Sequence, residues 1–237
     1  MKFFPAITTI TKANWRDKVD EVDRLGLEEV ALFPTCLNAE QRKDLYTAIE
    51  HTSIKHVPFI HLRSDMELWE LDHFVKKYDT QIFNVHSARE YPINKDWLKY
   101  KQIICIENTQ RSPLDPEEIK NFGGICLDFS HLENDRLVDK DKFAADTKCL
   151  ASFPVRCNHI SAIKTKFSLD ENEKLHYDSH MLKKQSELDY LKRYPLEYFS
   201  DFCAMELENK ISDQLIAIDY INELIKNRDD FIKSMGF

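Results

Sequence analysis

Apolar residues recur along this chain as short unbroken runs, separated by longer stretches with a helical period. The runs read as strands at Phe3–Thr8, Glu29–Phe33, Val57–His61, Gln81–His86, Gln102–Glu107, Gly124–Asp128, Val155–His159 and Phe202–Glu206. Continuous hydrophobicity of this kind marks parallel strands covered on both faces. Helices are expected over Trp15–Leu25, Ala39–Glu50, Glu67–Tyr78, Asp141–Ser152 and Met181–Tyr194, and a last one carries the stripe Leu215, Ile218, Ile221, Leu224 and Ile225. Tyr91–Tyr100 offers only a short connection. Strict alternation of strands and helices predicts one α/β domain over residues 1–237, a closed parallel (β/α)₈ TIM barrel. An open doubly wound sheet is the rival, but no Gly-rich phosphate loop follows the first strand, and the whole chain has four glycines.

Composition narrows the setting. A chain of 237 residues with 43% hydrophobic content can bury one sizeable core. It has no run of about 18 apolar residues, so no membrane partner is expected. The opening Met1–Thr8 reads as a strand and lacks a signal-peptide pattern, so a cytoplasmic location is expected. A net charge of −8 argues against a nucleic-acid surface, although Arg63, Arg89, Arg111, Lys164 and Lys166 fall near strand ends and could form a local basic patch.

The six cysteines include no CxxC pair, and a disulfide framework is not expected. Cys105, Cys126 and Cys157 each precede a strand-end polar residue by two positions and share its face. At about 3.3 Å per residue they should lie roughly 6–7 Å below that residue, as small interior fillers and not as ligands.

The chemistry sits at the strand ends. Glu107, Asp128, His159 and Glu206 each close a different apolar run, and the carboxyl ends of barrel strands are where such enzymes place their functional groups. One parity turns all four inward over small residues. A carboxylate in such a place is costly unless paired or coordinated, so the set points to a divalent metal, with a salt bridge inside the barrel mouth as the plainer account of Glu107. His159 taken singly could be a hydrogen-bonded core residue.

In Asp128-Phe129-Ser130-His131, the histidine joins the aspartate only if the chain curls inward after the strand. Otherwise Asp128 or Ser130 caps a helix and His131 lies on the surface. His61 and His86 end two further strands, and His176-Tyr177-Asp178-Ser179-His180 follows the seventh. There, Asp178 or Ser179 could cap the expected Met181–Tyr194 helix. His51, His56 and His73 lie away from the strand ends and read as structural or solvated.

This pattern resembles the xylose isomerase-like (β/α)₈ superfamily: a Glu on the fifth strand, Asp-x-x-His on the sixth, His on the seventh and Glu on the eighth. The resemblance implies that Glu107, Asp128, His159 and Glu206 hold one divalent ion, whether zinc, manganese or iron. It further implies that Glu107 and Glu206 exchange protons with a small sugar or sugar-phosphate substrate and that His131 contacts the sugar, in a metal-dependent isomerase or epimerase. The arginine which that branch carries after the strand-seven histidine is missing, and Lys164 and Lys166 are the nearest cations for substrate. The endonuclease IV branch implies the alternative, a zinc phosphoesterase with two or three ions acting on abasic DNA or a smaller phosphate ester. His61, His86, Asp178 and His180 match its additional ligands in type and order, with His131 of Asp-x-x-His a further candidate ligand, but Ser87-Ala88 replaces its Pro-Gly and the loops after strands three and four are short. A barrel that binds metal without turnover is the third reading.

Overall fold

The structure, a computed structural model, describes residues 1–10, 14–169 and 175–234, with side chains to residue 227. In chain order the elements are β1 (Phe3–Phe4), β2 (Ala6–Thr8), α1 (Trp15–Arg24), β3 (Ala31–Phe33), α2 (Ala39–Glu50), β4 (Phe59–His61), α3 (Leu68–Tyr78), β5 (Ile82–Val85), β6 (Ile104–Glu107), α4 (Pro116–Ile119), β7 (Gly124–Asp128), α5 (Phe129–Val138), α6 (Lys140–Leu150), β8 (Val155–Ile160), β9 (Ala162–Leu169), β10 (Leu175–Ser179), β11 (Cys203–Met205) and α7 (Ile211–Ser234).

Nine strands pair in parallel in the order β1-β11-β8-β7-β6-β5-β4-β3-β2, giving the parallel (β/α) barrel that the alternation predicts. The expected first strand is split, because Pro5 has no N–H to give to a ladder. Below it Phe3 and Phe4 pair with β11, and above it Ala6–Thr8 pair with β3. The two ends of the sheet are thus consecutive pieces of one segment, and the barrel nearly closes through a single residue. Gln214 of α7 covers this seam, accepting from Ala6 N at 2.7 Å and donating to Ala6 O at 3.1 Å. That role turns the buried face of α7 towards Gln214, Ala217 and Ile221, leaving Leu215 and Ile218 of the expected stripe only half-buried.

Two hydrophobic layers follow from strand parity. Outward residues such as Leu32, Ile60, Ile106 and Leu127 pack under the helices, while Phe4, Ala6, Phe33, Phe59, Ile82, Cys105, Cys126, Cys157 and Ala204 fill the barrel interior. All six cysteines are free thiols.

Three expectations need correction. Met181–Tyr194 is no α-helix: it holds a 3₁₀ segment at Gln185–Arg193, and Asn209 fixes Leu182 by bonds to both its N–H and its carbonyl. Asp178 and Ser179 therefore cap nothing; they end β10. The expected loop after strand seven is mostly an antiparallel hairpin, β9 with β10, lying against α5. The Tyr91–Tyr100 connection leads into a 3₁₀ segment at Lys95–Ile103. No helix among the described residues is long and apolar enough to cross a membrane.

Candidate metal centre

Glu107, Asp128, His159 and Glu206 meet at the carboxyl end of the barrel, each more than nine-tenths buried. His159 is central. Its Nδ1 lies 3.3 Å from Glu206 Oε2, 3.5 Å from Glu107 Oε2 and 3.8 Å from Asp128 Oδ2. Its ring rests on the barrel floor, with Phe33 at 4.9 Å and Phe59 at 5.4 Å between centroids. Asp128 Oδ2, both nitrogens of His159 and Glu206 Oε2 are buried without a hydrogen-bond partner among the described residues. Buried polar atoms are nearly always satisfied, and three of these orphans, Asp128 Oδ2, His159 Nδ1 and Glu206 Oε2, face one another as a group that could hold a cation.

Asp128 resolves its two readings by serving both. Its Oδ1 caps α5, accepting from Ser130 N at 2.7 Å and His131 N at 2.9 Å, while Oδ2 remains in the mouth. Starting a helix immediately after the strand is the inward curl that His131 needs. That ring comes within 3.6 Å of Asp128 Oδ2 and 3.7 Å of Glu107 Oε1 through Nδ1, which bonds Asn108 O at 3.0 Å. Asn108 also clamps the Asp128 backbone, donating to its carbonyl at 3.0 Å and accepting from its N–H at 2.7 Å.

His61 and His86 join the centre from the other side. His61 Nε2 stands 3.1 Å and His86 Nε2 3.8 Å from Glu107 Oε2. His61 Nδ1 bonds Leu62 O at 2.9 Å, which makes Nδ1 the protonated nitrogen and turns the Nε2 lone pair to the mouth, as metal-binding histidines require. Ligand atoms of His61, His86 and Glu107 lie within 4.8 Å of one another, as do those of Asp128, His159 and Glu206, and those of Glu107, Asp128 and His131. Glu107 is therefore shared between neighbouring groups.

Asp178 and His180 join none of these groups. Asp178 pairs with His176, Oδ1 to Nδ1 at 3.2 Å, and His180 Nδ1 bonds Glu206 O at 3.1 Å, 4.0 Å from Glu206 Oε2. Both line the cavity wall. Lys164 also lines it, but Lys166 does not: it is exposed on the hairpin, because residues two apart on β9 separate as the hairpin leaves the barrel.

One expectation about the floor also fails. Cys126 Sγ lies within 4.8 Å of ligand atoms of Glu107 and His159, not a full layer below. Barrel shear explains this, because Cys126 is the register partner of Glu107 itself. Burial pushes its thiol well up, which disfavours the thiolate that a metal takes.

The electrostatics follow from burying many charges together. Burial alone would raise Glu107, but the charges of His159 and His86 outweigh it and hold the carboxyl well below its usual range. Burial likewise opposes Glu206, yet His180 and His159 bring it down to about 2. For Asp128 burial wins and the carboxyl is raised. Burial disfavours a charged His131, but Asp128 and Glu107 overcome it and lift the ring to about 9. Burial lowers His86 despite the nearby Glu107.

The centre opens into two cavities that share His86, Tyr91 and His180. The larger, about 1290 Å³, runs under the hairpin past His131, Arg111 and Lys164. The smaller, about 470 Å³, lies over the β3 and β4 loops beside Cys36 and Arg63. Asn84 escaped the sequence reading: buried on β5, it donates to Glu107 Oε2 at 2.6 Å. Its signal was parity, since it shares the inward face of Ile82 and His86.

No family model matches the chain, and no curated protein matches it.

Proposed function

We propose that this chain is a hydrolase of phosphate esters that works with two or more divalent ions. The observation that carries the reading is the position of Glu107, between the Asp128–His159–Glu206 group and the His61–His86 pair. One carboxylate between two ligand sets is the arrangement of a multinuclear site, and five or six protein ligands exceed what a single catalytic ion takes while keeping open positions. Imidazole with carboxylate suits zinc, manganese or iron.

Asp128, His159 and Glu206 would hold one ion, and His61 and His86 a second, with Glu107 between them. Such ions, when bound, acidify water and offset the charge of a phosphoryl group in flight. The chain's own residues do the rest. His131, anchored through Nδ1 to Asn108 O, keeps Nε2 for the cavity, placed to give a proton to a leaving oxygen. The described part of the hairpin lines the larger cavity, and Lys164 adds positive charge to its wall.

A second reading, a sugar isomerase or epimerase with one ion, draws support from Glu107 and Glu206. They lie 3.5 Å and 3.3 Å from the same nitrogen of His159, two carboxylates on different strands that could serve one substrate as base and acid. Metal content separates the two. Mass spectrometry on protein purified without added metal should find at least two ions per chain, and fewer in His61→Ala. One ion, retained in His61→Ala, would replace the hydrolase reading with the isomerase.

A further inference from the structure

Arg111, in the loop between β6 and α4, meets no carboxylate among the described residues. Most arginines of the fold are held by carboxylates, among them Arg42 by Glu70, Arg89 by Asp115 and Arg136 by Glu133, while the exposed Arg156 is not. Among the described residues Arg111 forms no ion pair. Its guanidinium lies over the ring of Tyr91, 5.8 Å from the centroid, and the Tyr91 ring stands 5.7 Å from that of His86. Tyr91 is 40% exposed at the junction of the two cavities, an open aromatic face beside the metal centre.

Arg111 lines the larger cavity together with Lys164 and Lys183, whose ammonium groups likewise have no carboxylate partner among the described residues. The acids around the same cavity are mostly engaged. Glu90 accepts from Thr109, Asp135 holds Lys142 at 2.6 Å, Asp139 caps α6, and Asp178 pairs with His176. Glu208, which also lines the cavity, forms no ion pair, but Arg111, Lys164 and Lys183 are likewise unpaired among the described residues, in a chain whose net charge is −8.

We propose that Arg111, seated on Tyr91 and assisted by Lys164, is an anion subsite distinct from the metal centre. The substrate then carries a second anionic group, a phosphate or carboxylate, beyond the ester at the metals. A guanidinium presents paired donors to such a group, and the exposed part of Tyr91 borders the space between the two anions. The nature of the reacting ester rests on the hydrolase reading; the subsite does not.

The test is titration calorimetry of inorganic phosphate into chelator-treated protein at low ionic strength. The expected result is one saturable site, weakened about tenfold or more in Arg111→Gln, the loss of a charge-assisted bond. Lys164→Gln should weaken it several-fold, while Lys166→Gln, outside the cavity, binds as the parent. Absence of saturable binding, or parental affinity in Arg111→Gln, overturns the proposal. Since the metals are removed, phosphate binding that depends on Arg111 in a protein that takes up no metal would sink the hydrolase reading and leave the subsite standing.

Discussion

The side-chain amide of Asn84 donates to Glu107 Oε2 at 2.6 Å, while its own Oδ1 is buried with no partner among the described residues. The bond fixes the oxygen that also faces His61, His86 and His159, so Asn84 sets the direction of the carboxylate between the two ligand groups. Outer partners of this kind are typically worth about 10–100-fold in metal affinity. Asn84→Leu should therefore weaken metal binding by about that factor, measured by competition with a chelating dye. An unchanged affinity would make the bond incidental.

Metal should also stabilise the fold. His159 and three carboxylates are buried together with four atoms unsatisfied, a cost that bound ions relieve. At free metal 100-fold above Kd the gain is about 2.7 kcal/mol. For a chain of this size that raises Tm by about 5–10 °C. Thermal melts with and without zinc or manganese should show that rise in the parent and a smaller one in His159→Ala, which keeps the His61–His86–Glu107 group. A parental melt indifferent to every divalent ion would remove the basis for a metal centre.

The strands and their inward parity were legible because buried parallel strands leave a signal that survives without context: Ile-Cys-Ile-Glu, Ile-Cys-Leu-Asp, Val-Arg-Cys-Asn-His. The histidines at 61 and 86 obeyed the same rule and arrived where parity put them. The β9–β10 hairpin was readable and missed. Ile163, Thr165, Phe167 and Leu169 alternate with Lys164, Lys166 and Ser168, a period of two that the helical reading of the following segment obscured. The level of Cys126 was not readable at all. It depends on how far neighbouring strands are staggered around the barrel, which one strand's sequence does not encode. Asn84 shows a different limit: parity turns it inward, but only the neighbouring strand tells that Glu107 is what it meets.

Gly124 begins the strand that ends in Asp128, at φ +140°, and a Cβ there would sit 2.6 Å from Pro154 O. Gly26, at φ +64°, has open space around it. Both positions carry a backbone cost for an L-residue, but only Gly124 adds a backbone clash. Gly26→Ala should cost about 1 kcal/mol. Gly124→Ala should cost about 2–4 kcal/mol. Urea unfolding of the two variants gives the comparison, and equal losses would show that β7 and β8 can separate at that end without penalty.

Lys18 of α1 is buried, with its ammonium donating to Thr8 Oγ1 at 2.5 Å and Leu207 O at 2.9 Å, across the carboxyl ends of β2 and β11. Burial lowers its pKa from 10.5 to about 8, only partly offset by Glu208 and Glu21. The folded state therefore binds this proton less tightly than the unfolded chain does. Below pH 8 both states are protonated and the full penalty is present. Between 8 and 10.5 the unfolded chain holds more protons, so stability rises with pH. The gap corresponds to about 3 kcal/mol. Lys18→Met removes the titrating group and leaves every other one, so the stability difference between parent and variant isolates it. Urea midpoints at pH 7.5 and 10 should show the parent gaining on the variant by most of that amount as pH rises. A difference that stays constant across the window would mean that Lys18 titrates normally, and that the seam beside Thr8 admits water.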